Sequence, residues 1–468
     1  MIIATNVNRL FKCSFLFVSL SKNKHKGPMR ILIIGSGGRE HALIMACHSK
    51  GHEVHSLPKN QAFQRHSTNH DLSYKDDRDN PLVLDLCKKN KIDLVVIGPE
   101  NVLVHSLADE LRKHEILVFA PSQKAAELEK SKIFSKEFML QGKIPTARAH
   151  KVKSVQETLR AAESFTPPYV LKADGLAAGK GVFVCPTKEE LIQAAKSLFE
   201  EKKLGSAGDT ALLEEHMVGR EVSLLVLTNG QDFSILPMAQ DHKRLLEQDQ
   251  GPNTGGMGTV APIGLPQSLT DQIVKQIIHP TLQNLQTQKL FYRGVLFIGL
   301  MLTDSGPMVL EYNVRFGDPE TQVILPLLEG DWAQIFWQVA KGKIPSLVWK
   351  QNLHSACVVL ASPGYPDQPQ KGLAIEGDVF HQTSQSYFLH AGTAYTSCQN
   401  WQTAGGRVLN AIGLGETKKE ALKAAYSQAQ FAKWQGQHLR KDIGEISFCT
   451  NQKEKDFTLM IKKMDNNR

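Results

Sequence analysis

Short apolar runs alternate with helical patterns along the first 120 residues, and this alternation constrains the fold more than any other feature. The apolar runs lie at 29–34, 53–57, 93–98 and 117–120. Helical patterns follow the first run at 42–49 and separate the later runs at about 81–90 and 102–113. Strands separated by helices are typical of a parallel sheet with helices on both faces. This part is therefore predicted to be a doubly wound α/β domain, in which ligands lie at the carboxyl ends of the strands.

Two glycine-containing turns, Gly35-Ser-Gly-Gly38 and Gly98-Pro-Glu100, follow the first and third of these strands. A dinucleotide fingerprint would need glycine at position 40, where this chain has Glu, and an acidic residue after the second strand. A glycine turn at the start of a helix still offers backbone N–H groups to an anion. A sugar phosphate is therefore favoured at the first turn, with a dinucleotide and a purely structural turn as the alternatives.

A second alternation of strands and helix, at 150–219, predicts a small α+β insertion. It contains the glycine-rich loop Lys172-Ala-Asp-Gly-Leu-Ala-Ala-Gly-Lys-Gly-Val182. The loop is not a Walker A motif, because three residues rather than four separate its first two glycines. Glycines let a backbone lie close over a polyphosphate, whose charge Lys172 and Lys180 would neutralise. The loop is a candidate lid over a nucleotide, and an ordinary hairpin with solvated lysines is the alternative.

Acidic residues follow the last apolar run of the insertion, at Glu214, Glu215 and Glu221. Such positions can present a carboxylate to a ribose, although a surface acid is the alternative for each. A polar loop is predicted at 240–258, where Asp241-His-Lys-Arg244 precedes several glycines. A loop this long in a compact domain is usually functional or disordered. Its histidine has no base or nucleophile partner that the spacing identifies, so it is not a catalytic candidate.

Two further apolar runs, at 295–302 and 308–310, predict a pair of strands that ends in Glu311-Tyr-Asn-Val-Arg315. Side chains alternate on a strand, so Glu311, Asn313 and Arg315 are predicted to share one face. A carboxylate beside an amide oxygen suits Mg²⁺, which prefers oxygen ligands and often shares its shell with phosphates. Arginine suits a phosphate or a carboxylate. The alternative is a salt-bridged strand end.

Composition and charge argue against several classes of protein. The net charge is +8, but residues 1–28 carry +5 and residues 451–468 carry +2 of it. The remaining body is nearly neutral, which argues against a nucleic-acid partner. Seven dispersed cysteines without a zinc spacing indicate reduced thiols in a cytoplasmic protein. The apolar stretch at 11–20 is too short to span a membrane as a helix, and residues 1–28 are interpreted as an extension or a misassigned start.

From about residue 355 the pattern becomes β-rich, with a helix predicted at 417–434 and a polar tail at 451–468. The sequence contains no motif of the serine hydrolases, zinc proteases or protein kinases. A cationic glycine loop, a metal-binding face and an arginine together favour phosphoryl transfer by positioning and charge stabilisation.

Several sequence blocks between Met29 and about residue 435 resemble the ATP-grasp ligases and, within them, the phosphoribosylamine–glycine ligase family. Their common order along the chain is more specific than any single glycine loop. The blocks are Gly37–Leu43, Gly98–Glu100, Leu128–Lys132, Ile144–Ala147, Lys172–Gly181, Leu236–Ala239, Asp241–Arg244, Gly251–Gly258 and Arg315–Gln322.

The resemblance implies the second step of de novo purine synthesis. ATP phosphorylates the carboxylate of glycine, and the amine of 5-phosphoribosylamine attacks the glycyl phosphate to give glycinamide ribonucleotide, ADP and phosphate. For ATP binding the resemblance implies Lys132, Lys172, Gly175, Gly179, Lys180, Gly181, Glu214, Glu215 and Glu221. For Mg²⁺ or Mn²⁺ it implies Glu311 and Asn313. Arg315 and Asp241 are the catalytic candidates that orient the substrates, and the substrate-binding candidates are Gly37, Gly38, Glu100 and Asp318.

The resemblance also implies the organisation of the chain. The expected parts are a Rossmann-like substrate domain at 29–131, an ATP-grasp central domain at 132–149 and 220–354, an ATP-grasp lid domain at 150–219, and a small β-rich C-terminal domain at 355–450. The implied partners are glycine and 5-phosphoribosylamine, with no nucleic acid or membrane, and the expected state is a monomer or weak homodimer.

Two departures from the family pattern affect these expectations. The turn after the second strand reads Pro58-Lys-Asn-Gln-Ala62, where the family has a Pro-Gly-Asn-x-Gly-like turn, so substrate contacts from 58–62 are not carried over. Residues 1–28 have no counterpart. The alternatives are another ATP-grasp ligase, a nucleotide-binding regulator without catalysis, and a dehydrogenase, which Glu40 disfavours.

Overall fold

The N-terminal part is built on a parallel sheet with the strand order β3-β2-β1-β4-β5. In this computed structural model, the residues described are 25, 27–176, 181–397 and 399–445. The elements are β1 (Arg30–Ile34), α1 (Gly38–His48), β2 (Glu53–Leu57), β3 (Thr68–Asn69), α2 (Asn80–Lys89), β4 (Leu94–Ile97), α3 (Glu100–Leu103), α4 (Leu107–Lys113) and β5 (Leu117–Phe119). The strand pairings are parallel, which confirms the doubly wound prediction. Ile31 and Leu32 of β1 belong to different hydrophobic clusters, because helices cover both faces of the sheet.

The helix predicted at 102–113 is interrupted in the structure, where it is divided between α3 and α4. The next helical stretch is also interrupted, and it forms α5 (Gln123–Lys130) and α6 (Lys132–Gln141). Ser131 has extended backbone, and its Oγ accepts a hydrogen bond of 3.0 Å from the Phe134 N–H. Because a capping serine ends one helix and begins the next, the chain turns at this point.

The insertion forms an antiparallel sheet in the order β6-β9-β7-β8, named here the insertion sheet. Its elements are β6 (Ala149–Val152), α7 (Val155–Ala162), β7 (Tyr169–Ala173), β8 (Val182–Cys185), α8 (Lys188–Phe199) and β9 (Ala211–Glu215). Leu171, Leu191 and Leu213 pack in a hydrophobic cluster of the insertion's own. The predicted strands and helix of this segment are confirmed, whereas the division of the chain into domains stays a prediction.

The central sheet is antiparallel, with the order β11-β10-β16-β17. The elements of this region are β10 (Arg220–Thr228), β11 (Phe233–Ile235), α9 (Gln267–Ile273), α10 (His279–Thr287), β16 (Gly294–Thr303), β17 (Gly306–Asn313), α11 (Glu320–Ile324) and α12 (Trp332–Ala340). The helical segment from α9 to α10 contains a π-helical turn at Val274–Ile278, just before Pro280. Pairing of β16 with β17 shifts at Leu310, since Gly299 faces Glu311 while Leu300 faces Val309.

The loop predicted at 240–258 is wrong in large part, because the segment contains short strands. They are β12 (Gln240–Asp241), β13 (Arg244–Leu246), β14 (Gln250–Asn253) and β15 (Gly258–Ala261). β12 and β15 extend a sheet formed with C-terminal strands, in the order β12-β15-β18-β23-β20. The buried, apolar β15 pairs with an equally buried strand at 354–361, which explains why this segment is not a free loop.

The C-terminal part completes that sheet and covers it with one long helix. Its elements are β18 (His354–Ala361), β19 (Glu376–Gly377), β20 (Ser386–His390), β21 (Thr393–Tyr395), β22 (Trp401–Thr403), β23 (Arg407–Gly415), α13 (Lys418–Ala429) and β24 (Ala432–Lys433). The helix predicted to reach residue 434 ends at Ala429, because Ala432 and Trp434 leave it to pack in the C-terminal hydrophobic cluster. Within the described ranges, no helix is long and apolar enough to cross a membrane.

Candidate active site

Lys172 and Glu214 form the buried centre of the candidate site, where β7 and β9 meet β17. Lys172 Nζ lies 2.6 Å from Glu214 Oε2 and donates to the Leu310 carbonyl at 3.4 Å. The other oxygen of Glu214 lies 3.1 Å from Lys136 Nζ of α6. Although burial opposes ionisation, the two lysines hold the pKa of Glu214 below its usual value. Two ammonium groups around one carboxylate leave an excess positive charge, which suits a phosphate.

Lys132 reaches the start of the glycine-rich loop from the first turn of α6. Its Nζ donates to the Gly175 carbonyl at 3.1 Å, and burial lowers its pKa in spite of Glu311 nearby. Gly175 has a φ of +147°, and a Cβ there would lie 2.8 Å from the Cβ of Ala207. Glycine is therefore required where the chain leaves β7 for the loop.

After residue 176, the structure describes the glycine-rich loop again only from Gly181 onward. The Gly181 carbonyl accepts a hydrogen bond of 2.8 Å from the Ala173 N–H, which closes the base of the loop. Gly179 and Lys180 lie outside the described residues. Their predicted contacts with ATP therefore stay predictions.

Glu215 and Glu221 have different surroundings. Glu215 accepts hydrogen bonds from the Arg148 N–H at 2.9 Å and from Arg148 Nε at 2.7 Å, at the edge of the insertion sheet. Glu221 pairs with Lys243, whose Nζ also lies 3.9 Å from Glu311 Oε1. Lys243 therefore joins a predicted ATP-site acid to a predicted metal ligand, whereas Glu215 is turned toward Arg148.

Glu311 and Asn313 form the predicted metal-binding face at the end of β17. Asn313 Nδ2 lies 3.3 Å from Glu311 Oε1, and the Glu311 side chain is 43% exposed, which leaves room for a ligand. Burial would raise the pKa of Glu311, but Lys243, Lys172 and Lys132 lower it, so the carboxylate is ionised. The described residues contain no group of three or more His, Cys, Asp or Glu that could hold a metal. An ionised carboxylate with an amide oxygen fits Mg²⁺, which takes its other ligands from phosphates and water.

Arg315 lies beyond the end of β17, so its predicted place on the strand is wrong. Its Nη2 nevertheless lies 3.4 Å from Asn313 Oδ1, and two carboxylates hold the guanidinium. Nε lies 3.3 Å from Glu100 Oε2 and Nη2 lies 3.0 Å from Glu129 Oε1. Burial raises the pKa of Glu129 to about 7, whereas Arg315 overcomes burial at Glu100 and lowers its pKa to about 2.

Asp241 lies beside a second buried carboxylate, Glu320. Asp241 Oδ1 accepts hydrogen bonds from the His242 N–H at 2.8 Å and from Thr259 Oγ1 at 3.2 Å. Glu320 Oε1 accepts from Ser223 Oγ at 2.9 Å. Burial and the neighbouring Glu320 raise the pKa of Asp241 well above its usual range. Such a pair of acids is suited to a cationic partner, since each makes ionisation of the other harder.

Gly37, Gly38 and Asp318 lie together on the side of the N-terminal sheet. A Cβ on Gly37 would lie 3.5 Å from Asp318 Oδ2, and one on Gly38 would lie 2.9 Å from Gln322 Nε2. Asp318 accepts a hydrogen bond of 2.6 Å from Gln322, and its Oδ2 lies 3.3 Å from Arg407 Nη2. The structure therefore brings the first βα turn against the segment that follows Arg315.

The first βα turn is also occupied by a side chain of its own helix. The Glu40 carboxylate accepts a hydrogen bond of 2.7 Å from the Gly37 N–H and one of 2.6 Å from Arg39 Nε. A Cβ on Gly35 would lie 2.6 Å from Glu40 Cδ, so the carboxylate fills space that glycine leaves free. One backbone donor that a dinucleotide would use is thereby taken.

The altered turn at 58–62 packs against the same region. Asn60 Nδ2 donates to the Ser36 carbonyl at 3.1 Å, and Asn60 Oδ1 accepts from the Ala62 N–H at 3.0 Å. This asparagine caps a short 3₁₀ helix at Gln61–Arg65. The turn therefore supports the glycine turn through Asn60, although the two family glycines are absent from the sequence.

Sequence reasoning missed several residues that the structure places in the site, among them Glu129, Lys243, Glu320 and Arg407. The first three lie inside blocks already singled out for their resemblance, and their pairing with Arg315, Glu221 and Asp241 depends on the fold. Arg407 begins β23, where no motif marks it. The one signal for Arg407 in the sequence was its position as a charged residue directly before an apolar run.

Known proteins match the chain along most of its described length. Family models of phosphoribosylglycinamide synthetase match its N domain at 29–129, its ATP-grasp (A) domain at 130–321 and its C domain at 355–446. The phosphoribosylamine–glycine ligase of Caldanaerobacter subterraneus subsp. tengcongensis is 36% identical over 419 residues, covering 89% of this chain and 99% of that protein. The human trifunctional purine biosynthetic protein adenosine-3 is 40% identical over 446 residues, covering 93% of this chain and 44% of that protein.

Solved structures agree with these matches. A crystal structure of phosphoribosylamine–glycine ligase from Thermotoga maritima has a TM-score of 0.77 and 37% identity, and the match covers 89% of this chain and all of that chain. The biotin carboxylase domain of the Hydrogenobacter thermophilus 2-oxoglutarate carboxylase, solved with MgADP, has a TM-score of 0.68 at 17% identity and shows the shared fold alone. With domain models, relatives and a solved structure in agreement, the chain belongs to the phosphoribosylamine–glycine ligase family, ATP-grasp ligases of purine biosynthesis.

Proposed function

We propose that the residues gathered between β7, β9 and β17 carry out the reaction of this family, the ATP-dependent ligation of glycine to 5-phosphoribosylamine. The observation that carries the proposal is the approach of Lys172, bound to Glu214, to the strand that presents Glu311 and Asn313. A phosphate-binding cation and a metal-binding pair then face one space. This is the arrangement that transfer of a phosphoryl group from ATP needs.

ATP would lie between the insertion sheet and β17. Lys172 and Lys132 would neutralise its phosphates, and Gly175, Gly179, Lys180 and Gly181 would form the loop that covers them. Glu214 holds the ammonium group of Lys172 in place. Glu221 and Glu215 would lie toward the nucleoside, although the engagement of Glu215 with Arg148 makes it the weaker candidate.

Glu311 and Asn313 would hold Mg²⁺ or Mn²⁺, the ions expected for the family. When bound, the ion neutralises negative charge on the ATP phosphates. Lys243 keeps Glu311 ionised and ready to ligate, because its ammonium group lies 3.9 Å from that carboxylate. Asn313 is oriented from two sides, by Glu311 and by Arg315.

Arg315 and Asp241 would orient glycine for the first chemical step. A carboxylate oxygen of glycine attacks the γ-phosphorus, the bond to the β–γ bridging oxygen breaks, and ADP leaves. Arg315 would bind the carboxylate by hydrogen bonds to its guanidinium. Asp241, with Glu320 behind it, would bind the amino end of glycine, since burial and the nearby Glu320 oppose ionisation of Asp241 and a bound ammonium group would favour it.

Gly37, Gly38, Glu100 and Asp318 would form the wall for 5-phosphoribosylamine. Its amine attacks the acyl carbon of glycyl phosphate, the bond from that carbon to the phosphate oxygen breaks, and the amine loses a proton. Holding the acyl phosphate and the amine together supplies proximity and keeps water away from the reactive intermediate.

Further expectations for the chain accompany this proposal. The chain would act in the cytoplasm as a monomer or weak homodimer, with small molecules as its partners and neither nucleic acid nor membrane. Light scattering of the purified protein across a range of concentrations would measure its mass in solution. A stable higher oligomer would contradict the expected state without affecting the ligase assignment.

The test of the proposed function is ADP release with ATP and Mg²⁺, when glycine and freshly prepared 5-phosphoribosylamine are supplied singly and together. We expect ADP release to need both substrates and to equal the glycinamide ribonucleotide formed. Glu311→Gln would lose this activity, whereas Glu137→Gln, at an exposed position of α6, would keep it. No turnover with the pair, or turnover with formate or bicarbonate in place of glycine, would overturn the assignment in favour of another ATP-grasp ligase.

A further inference from the structure

Glu129, at the end of α5, has no role in the reaction as described so far, yet both of its carboxylate oxygens are engaged at the site. Oε2 accepts a hydrogen bond of 2.7 Å from the Val314 backbone N–H. Oε1 lies 3.0 Å from Arg315 Nη2, and the side chain of Glu129 is only 5% exposed. One buried carboxylate therefore fixes a backbone amide and the guanidinium of the next residue.

The turn that Glu129 holds separates the two functions proposed for the end of β17. Val314 lies between Asn313, a proposed metal ligand, and Arg315, which would bind glycine. Since β17 ends at Asn313, the Val314 N–H bonds to Glu129 rather than to a neighbouring strand. The position of Arg315 therefore depends on a side chain from a helix more than 180 residues earlier in the chain.

The guanidinium of Arg315 is held by the protein on several sides. Nη2 faces Asn313 Oδ1 and Glu129 Oε1, Nε faces Glu100, and Nη1 donates to the Phe316 carbonyl at 3.2 Å. Arginine has five N–H donors in a rigid plane. Among the described residues, the Nε N–H and one N–H of Nη1 have no hydrogen-bond partner, although Nε lies 3.3 Å from Glu100 Oε2. The contacts of Nη2 and of the other Nη1 N–H therefore fix the orientation of the guanidinium.

The junction between α5 and α6 also touches the insertion sheet. Two residues after Glu129, Ser131 Oγ donates to Asp174 Oδ1 at 2.9 Å, and the Ile133 N–H donates to the same oxygen at 3.0 Å. Asp174 directly follows β7, the strand of Lys172. The junction thus contacts the phosphate side of the site through Asp174 and the glycine side through Glu129.

We infer that Glu129 is a positioning residue for the ligation, acting through Arg315. Its carboxylate holds the guanidinium in the plane that presents the unpartnered N–H groups of Arg315 to the substrate carboxylate, and it fixes the 313–315 turn against α5. This inference rests on the proposed role of Arg315 in binding glycine.

The test compares Glu129→Gln, Arg315→Lys and the double variant with the unmodified chain, by steady-state kinetics for ATP, glycine and 5-phosphoribosylamine and by thermal unfolding. Gln keeps the size of Glu129 and can still accept from the Val314 N–H, but it lacks the charge that pairs with Arg315. Glu127→Gln is the matched control, because Glu127 lies on the same helix and, among the residues that the structure describes, forms an ion pair only with Lys130, at 2.7 Å.

We expect Glu129→Gln to lower kcat about 10- to 100-fold, the effect of weakening a hydrogen bond to a charged group. The KM for ATP and the unfolding temperature would stay close to those of the unmodified chain, as would all values for Glu127→Gln. In the Arg315→Lys background, Glu129→Gln would lower kcat little further, because residues that act through one another are not additive.

The outcomes separate the inference from the function on which it rests. Full activity of Arg315→Lys would overturn the proposed role of Arg315 itself. Two results would overturn the role of Glu129 alone. One is a low kcat in Arg315→Lys together with full activity in Glu129→Gln. The other is a double variant whose loss of kcat is the product of the two single losses. If Glu129→Gln does not fold, Glu129→Asp is measured in its place. An unchanged kcat in Glu129→Asp contradicts the inference. A lower kcat in Glu129→Asp, with no further loss when the change is added to Arg315→Lys, supports it.

Discussion

At the scale of single residues, the site is built from charged side chains that are paired with groups of opposite sign. Lys172 and Lys136 share Glu214, and Lys243 lies between Glu221 and Glu311. An isolated buried charge would shift its pKa and become neutral. Each of these groups has a partner of opposite sign, and Lys243, Lys172 and Lys132 lower the pKa of Glu311, which keeps this carboxylate anionic toward a metal.

Lys172→Met tests the phosphate side of this arrangement. We expect kcat/KM for ATP to fall about 100- to 1000-fold, as when one preorganised donor to a developing charge is removed. Glu214 keeps Lys136 as a partner, so the protein should remain folded. Lys151→Met, at an exposed position of β6, is the control. Equal values of kcat/KM for the two variants would show that Lys172 has no part in ATP binding.

At the scale of elements, the functional side chains lie where strands and helices begin or end. Glu311 and Asn313 end β17, Lys132 begins α6, and Glu214 lies near the end of β9. Ser131 joins two of these elements, since it caps α6 and donates to Asp174 after β7. The position of Lys132 relative to the glycine-rich loop therefore depends in part on the hydroxyl group of Ser131, together with the Ile133 N–H that donates to the same carboxylate.

Ser131→Ala and Ser154→Ala separate the capping role of Ser131 from its contact with the insertion sheet. Both serines cap a helix, α6 and α7 respectively, so each change should lower the free energy of unfolding by about 1 kcal/mol. Only Ser131→Ala also loses the bond to Asp174, and we expect a KM for ATP about 3- to 10-fold higher in that variant. The same KM in both variants would rule out a contribution of Ser131 to the ATP site.

Patterns within single elements were predictable from the sequence, whereas contacts between distant segments were not. The parallel strands, the insertion and the Glu311–Asn313 face all follow from local alternation. The strands at 240–258 were missed because they are only two to four residues long and because polar, glycine-rich composition resembles a loop. The partner of β15 also lies beyond residue 354, whereas the other strands pair within the segment. Arg315 was placed on a strand because nothing in its own neighbourhood shows that pairing ends at Asn313.

At the scale of the whole molecule, the N-terminal and C-terminal parts meet through polar contacts as well as apolar packing. The His390 N–H on β20 donates to His41 Nδ1 on α1 at 2.9 Å. Arg407 of β23 reaches Asp318 and the Gly255 carbonyl beside the site. The C-terminal part therefore contributes to the wall that would face 5-phosphoribosylamine.

The contact between these parts should weaken in acid. Burial lowers the pKa of His390 to about 4, and burial with neighbouring His390 and His66 lowers that of His41. In the unfolded chain, a histidine has its ordinary pKa of about 6.5. Below this pH the unfolded chain therefore binds protons that the folded chain does not bind, so the free energy of unfolding falls as the pH falls below 6.5. For His390, the expected loss in the free energy of unfolding is about 1.5 kcal/mol between pH 6.5 and pH 5.

Urea unfolding at pH 5, 6.5 and 8 tests this origin of the pH dependence. We expect His390→Gln to lose that part of the slope of unfolding free energy against pH, while His48→Gln, at an exposed position of α1, keeps it. An identical slope in the unmodified chain and in His390→Gln would assign the acid sensitivity to other groups.

The central claim, that this site activates glycine as an acyl phosphate, is tested most directly with glycine labelled by ¹⁸O in both carboxylate oxygens. If the carboxylate attacks the γ-phosphorus and the amine then displaces phosphate from carbon, each phosphate released carries one labelled oxygen and the product amide keeps the other. We predict one label per phosphate in the complete reaction with ATP, Mg²⁺ and 5-phosphoribosylamine. Unlabelled phosphate formed together with glycinamide ribonucleotide would contradict the account.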